Sequence, residues 1–522
     1  MFLNRPLISL LEFLGVDTQR IIELQDDDIC KAQSVRLSCT DASKVMQQHG
    51  MGASFHLPSL FSNLSSILQL EIGDTEDDPS LWTNKLIESS LCCAETHILR
   101  ELKYRAHIAV PGSYTLIGVS DEWGCLKEGE IYATVFDERT GFVQRITGKV
   151  AITRSPQIHP GDLQVVTAVH RPELDHLMNV VVFSCQGERA LASCLGGGDL
   201  DGDTFNLILD PRLLPTKHFK PGEYTAATIK TTLRACGISD VADFVINYDP
   251  SCTECVRLAN FASQALDFPK SGTPVNFFSI PWLPRSQPRP DFLAKEGDDI
   301  TSKQFYNSPK LLGQLYRRVP MRKGIPTAWN GNHSPSDGAT VNVALSRAVS
   351  LHNLGLSNMT HPSGELFEEM TYLLNAYCEQ LLIIGQAHTI SKNKAVHVSE
   401  AELVSGTITA NWSDHQRQKN AVAAMNLQTR ELVRRVRTEF QGEDPQTPET
   451  EAYEEDEDYE DFTFHEESEQ RVMVETFKRS LTAWCVAEDV LEEDSSKFGA
   501  QSFGLIALGR MLEIVKASRL MM

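Results

Sequence analysis

The sequence predicts an α+β protein in which a compact β-barrel is flanked by mainly helical domains. Three observations predict it. Short β-rich segments crowd residues 106–209, turn residues divide them, and helical periodicity fills the chain on either side.

Residues 1–100 read as a helical lead-in, with apolar patterning in ISLLEFL (8–14) and LIESSLCCAETHILRELKYR (86–105). The barrel region, 101–215, holds AHIAV (106–110), YTLIGV (114–119), EIYATVF (130–136), GKVAIT (148–153), LQVVTAV (163–169), NVVVFS (179–184) and TFNLIL (204–209). Pro111-Gly112, Glu128-Gly129, Pro160-Gly161 and Gly196–Gly198 mark turns between them. Strands this short and this closely spaced suit a small barrel better than alternating strand–helix units. A mixed connecting region spans 216–300, dense in proline over 281–290. Helical periodicity returns in a domain at 301–440, as in ELFEEMTYLLNAYCEQLLII (365–384) and QKNAVAAMNLQTRELVRRVRTEF (418–440). Residues 441–470 read as an acidic disordered linker and 471–522 as a short helical tail.

At 522 residues the chain is long enough for several packed cores, and its 41% hydrophobic and 23% charged content is that of a globular protein. No run approaches the roughly 20 apolar residues of a membrane span. The amino-terminal segment carries Glu12 within its apolar stretch and lacks a cleavage site, so it reads as an amphipathic helix and not a signal peptide. An intracellular protein is expected, nuclear or cytoplasmic with the nucleus slightly favoured, in which the 12 cysteines stay reduced. Cys252 and Cys255 form a C-x-x-C without a second pair at zinc spacing, and read as ordinary thiols. The net charge of −22 argues against phosphate binding only at first sight. About half of residues 443–469 are acidic and none is Lys or Arg, which leaves the remainder mildly charged.

The chemistry concentrates in CLGGGDLDGDTFNLILD, 194–210. Asp199, Asp201 and Asp203 alternate, and on an extended strand such positions share a face; in a tight loop the same spacing wraps them round one point, with Gly202 permitting unusual backbone angles. Two like charges ~4 Å apart repel by about 4 kcal/mol at an effective dielectric of 20, so three carboxylates converging there call for a cation. Hard oxygen donors suit Mg²⁺, which keeps positions open for water and phosphate. A polar surface turn is the competing reading of DLDGD. A calcium loop of the EF-hand type fails at Thr204, where Gly is needed, and at Asp210, where Glu is usual. The Gly196–Gly198 run is no phosphate-binding loop, because no Gly-Lys-Ser/Thr follows it.

DLDGD, preceded by small residues and followed by a hydrophobic strand, resembles the signature of eukaryotic cellular RNA-dependent RNA polymerases of the RNA-silencing type. FLNRPLISLLEFLGV (2–16), LKYRAHIAVPGSYTLIGVSDEWGCLKEGEIY (102–132), GKVAITRSPQIHPGD (148–162), HLMNVVVFSCQGER (176–189), LDFPKSGTP (266–274), RPDFL (289–293) and SPKLLGQLYRR (308–318) accompany it in the family's order. The resemblance covers roughly 1–320 and implies a double-psi β-barrel holding Asp199, Asp201 and Asp203 as catalytic metal ligands. It implies Mg²⁺ as cofactor, with Mn²⁺ as a substitute, a single-stranded RNA template, nucleoside triphosphates and other RNA-silencing proteins as partners, no membrane, and double-stranded RNA as product. Lys149, Arg154, His159, Gly202 and Lys270 fall in its motifs as candidates for RNA or substrate binding. His176 and Arg189 read as structural, and Arg434, Arg435 and Arg437 as a solvent-facing basic cluster. Family members carry several hundred residues before the FLNR segment, including a second barrel whose lysines face the nucleotide, whereas Met1 stands at that segment here. Two readings compete with the polymerase: a catalytically incompetent, RNA-binding remnant of the same family, and a barrel subunit of a DNA-dependent polymerase.

Overall fold

Seven short strands form one sheet that closes on itself in the computed structural model, which describes residues 1–222 without 73–80, 83, 138–140 and 158, then 257, 261, 288–321 without 297, 299–300 and 302–303, and finally 336–351, 364–389, 397–409, 415–442 and 461–521. The strands are β1 (Tyr114–Ser120), β2 (Glu130–Asp137), β3 (Phe142–Arg145), β4 (Gly148–Arg154), β5 (Leu163–Ala168), β6 (Val180–Phe183) and β7 (Thr204–Ile208). The ring runs β2–β5–β4–β7–β1–β6 and returns to β2. β1 and β6 pair in parallel, as do β2 and β5, while the other ring pairings are antiparallel. Parallel neighbours need crossover connections, so the chain passes across the barrel ends between them. β3 lies outside the ring as a hairpin arm on β2.

Side chains from all six ring strands fill the barrel. Leu116, Ile131, Val150, Ile152, Val166, Val181, Phe183, Phe205 and Leu207 are buried together, with Ala192 and Leu195 packed among them. Phe183 and Phe205 meet edge-to-face at 4.6 Å between ring centroids.

The segment 106–110 is a correction to the sequence reading. It joins no barrel strand; Leu3 donates to the Ile108 carbonyl, Val110 to the Met1 carbonyl, and the Ala109 amide to the Asp28 carboxylate. Its backbone groups find partners in the amino-terminal residues, and Pro111-Gly112 then turns the chain into β1.

Contacts divide the chain into two units, Met1–Ile29 with Arg100–Pro320 and Cys30–Leu99 with Met321–Met522. The first holds the barrel and the helix Arg5–Phe13, which Asn4 caps by accepting from the Leu7 amide. Glu12, the charge inside the apolar amino-terminal segment, accepts from the Leu311 amide at 2.9 Å and so caps the helix Leu311–Arg318. In the second unit the helices Glu365–Ala387, His415–Gln441, Asp461–Glu493 and Ala500–Met521 pack through Tyr377, Phe440, Phe477, Trp484 and Phe503. The helix Asp461–Glu493 starts inside the acidic stretch, of which 443–460 lie outside the described residues. Among the described residues no helix is long and apolar enough to cross a membrane.

Candidate metal centre

Strand parity brings the acidic loop to the barrel mouth. Val150 and Ile152 of β4 point into the barrel, and the next residue of that parity is Arg154; on β7 the inward set Leu207 and Phe205 leads back to Asp203. Because Arg154 is in register with Phe205, Arg154 and Asp203 emerge side by side. The guanidinium grips both carboxylate oxygens, Nε to Oδ2 at 2.7 Å and Nη2 to Oδ1 at 2.8 Å. The Asp199 amide donates to Asp203 Oδ2 at 2.9 Å, and the Gly118 amide donates to the Asp203 carbonyl at 3.0 Å. One oxygen from each of Asp199, Asp201 and Asp203 then lies within 4.8 Å of the others, with Asp201 exposed and its neighbours half-buried.

Glycines make this convergence possible. Gly202 has φ +121°, a conformation that side chains disfavour, and nothing lies within 4 Å of where its Cβ would stand. At Gly118 a Cβ would fall 2.4 Å from the Phe205 ring and 2.9 Å from Leu200, so only glycine lets β1 run under the loop. Sequence reasoning passed over Gly118; a glycine inside the strand pattern YTLIGV was the available sign of close backbone approach. Among the described residues the donor set is three carboxylates without nitrogen or sulfur, which fits a hard divalent cation.

The family described as RNA dependent RNA polymerase matches residues 1–253 and 249–319, which take in the barrel and the acidic loop. The chain belongs to the RNA dependent RNA polymerase family. Similar proteins include RNA-dependent RNA polymerase 6 of Arabidopsis thaliana, 30% identical over 361 residues that cover 61% of this chain and 28% of that protein. A probable RNA-dependent RNA polymerase 1 of Oryza sativa subsp. japonica is 28% identical, covering 61% of this chain and 43% of the relative. RNA-dependent RNA polymerase 1 of Schizosaccharomyces pombe is 28% identical, with 63% and 29% covered. The chain thus spans less than half the length of these relatives. The solved RNA dependent RNA polymerase QDE-1 from Thielavia terrestris aligns with 100% of this chain and 57% of its own, at a TM-score of 0.40 and 15% identity.

Of the other described residues that the polymerase resemblance suggested, Arg154 reaches the triad through a direct contact, with Asp203. Lys149 is exposed at the start of β4, five residues before Arg154 and so roughly 16 Å along the strand from it. His159 is a cap: its Nδ1 accepts from the Gly161 amide at 3.0 Å, and its own amide donates to Asp162 at 2.7 Å. Burial holds its imidazole below the usual pKa. Arg189 fastens the turn Leu191–Cys194, donating to the Ser193 carbonyl, to Ser193 Oγ and to the Gly222 carbonyl. His176 stands edge-on to Trp123 at 4.9 Å. In the helical unit Arg434 and Arg435 share Glu431, and Arg437 pairs with Glu513. Lys270, Cys252 and Cys255 lie outside the described residues.

Proposed function

We propose that this chain carries the nucleotidyl-transfer centre of a template-directed RNA polymerase, with Asp199, Asp201 and Asp203 as the ligands of Mg²⁺. The substrates are nucleoside triphosphates and the 3′-hydroxyl of an RNA strand paired to a single-stranded RNA template. The product is double-stranded RNA for silencing inside the cell, where other silencing proteins are its partners. One observation carries the reading: three carboxylates from a five-residue loop gather within 4.8 Å at the mouth of a closed barrel, in a chain of the polymerase family.

Bound there, Mg²⁺ would supply the charge that acidifies the attacking hydroxyl and offsets the charge of the phosphoryl group in flight. The chain's own residues do the positioning. Arg154 and the Asp199 amide fix the Asp203 carboxylate, while Gly118 pins its backbone to β1. Asp201 stands at the exposed tip beside Gly202, whose missing side chain leaves the approach unobstructed.

The test is incorporation of a labelled nucleotide by the full chain on single-stranded RNA. Incorporation that requires Mg²⁺ or Mn²⁺ and disappears in Asp201→Ala and Asp203→Ala is the expected result. The second reading is a catalytically incompetent, RNA-binding remnant of the same family. Absent incorporation by the unaltered chain, with RNA binding that survives replacement of all three aspartates, would establish that reading instead.

A further inference from the structure

A carboxylate offers about four lone-pair positions, two on each oxygen. At Asp203 three are taken. Oδ2 accepts from Arg154 Nε at 2.7 Å and from the Asp199 amide at 2.9 Å, and Oδ1 accepts from Arg154 Nη2 at 2.8 Å. A divalent ion at the triad therefore finds one open position on Asp203, on Oδ1, for as long as the guanidinium stays. The guanidinium is placed to stay: Nη1 reaches the Gly196 carbonyl at 3.4 Å, and the Arg154 stem lies so close to Gly198 that a Cβ there would fall 2.8 Å from Arg154 Cδ.

We infer that Arg154 is a built-in counter-cation for the acidic loop, a positioning residue that keeps the three carboxylates assembled without metal and holds their affinity for a divalent ion low. The physical reason is competition. The guanidinium offsets the mutual repulsion of the carboxylates, so the loop keeps its shape before an ion arrives. The same positive charge then repels the ion and occupies oxygen positions that it would use. The inference rests on the triad being a divalent-ion site.

The experiment measures Mn²⁺ binding to the full chain by the loss of the free-ion EPR signal, together with thermal unfolding in EDTA and in saturating Mn²⁺. Arg154→Gln removes the charge and is expected to bind Mn²⁺ about tenfold more tightly, as for one charge lifted from ~6 Å away through water-like screening. It melts below the unaltered chain in EDTA, and the gap closes in Mn²⁺. Arg154→Lys keeps the charge and loses the fork, so its affinity falls between those of the unaltered chain and Arg154→Gln while its melting point in EDTA falls. Equal or weaker Mn²⁺ binding by Arg154→Gln, or the same melting gap in both media, overturns the inference. A variant folded in Mn²⁺ and unfolded in EDTA is the expected result at its extreme; one unfolded in both overturns it. If the unaltered chain binds no more Mn²⁺ than Asp201→Ala does, while Arg154→Gln does bind it, the inference stands in its strongest form. If neither binds, the metal reading and the inference fall together.

Discussion

At the barrel mouth three carboxylates crowd within 4.8 Å of one another, whereas in the helical unit Glu400 is buried and bound by backbone. Glu400 accepts from the Gly499 and Ser502 amides at 2.9 and 2.8 Å, at the opening turn of the helix Ala500–Met521. Those donors and the positive end of the helix dipole satisfy it locally. Burial nonetheless pushes its carboxyl above the usual range. The contrast separates two uses of an acidic side chain. One that closes a helix end is part of the fold, while several that face each other across a loop could hold a metal ion.

The largest expected effect that could break this contrast is at Asp201. Asp201→Ala should lower nucleotide incorporation on the order of a thousandfold while leaving the melting temperature nearly unchanged, since its carboxylate is exposed. A large loss of stability would make the loop a structural element like Glu400. Conversely, Glu400→Ala strands two buried amides and should cost about 2–5 kcal/mol in denaturant unfolding of the helical unit, with metal binding unchanged.

Gly118→Ala sharpens the comparison from the barrel side. The added methyl meets the fully buried Phe205, so about 1–3 kcal/mol of stability should be lost, and Mn²⁺ binding should weaken as the Asp203 backbone loosens. Equal Mn²⁺ affinity would show that the loop holds its shape without β1.

A smaller effect separates the two regions by pH. The folded-state pKa of Glu400 is raised above its ordinary 4.5, so the folded state holds that proton more tightly than the unfolded one. The resulting stability is present below the unfolded value and is lost as pH rises through the raised folded value. Glu400→Gln lacks this term, so its melting temperature should gain on the unaltered chain as pH climbs from about 4.5. A gap that does not change with pH would place Glu400 in an ordinary carboxylate environment. Least affected should be Glu431→Gln. The Arg434 and Arg435 guanidiniums beside Glu431 hold its carboxyl near a pKa of about 2, yet the group is exposed and no change in melting temperature is expected.

Much of the fold was legible because its elements are local. Six of the seven β-rich segments named from the sequence became ring strands, since alternation and flanking turn residues are written into each segment. AHIAV had the same composition and failed, because its partners, Met1, Leu3 and Asp28, are distant along the chain. Phe142–Arg145 was missed as a strand; at four residues it carries no alternation, and only pairing with β2 makes it extended. The acidic trio was visible at once, but His159 and Arg154, near neighbours in one motif, took opposite roles. Which of them faces the carboxylates depends on the cap at Pro160–Asp162 and on register with β7.

By itself the sequence determined that three aspartates two residues apart sit on a glycine-bearing loop ahead of a hydrophobic strand, because spacing and backbone permissiveness are local properties. Only the tertiary structure decided that the ring closes, that Gly118 passes beneath Phe205 and that Arg154 grips Asp203, 49 residues further along the chain. Those contacts arise from strand order and register, which depend on packing summed over the whole barrel and are not carried by any single segment.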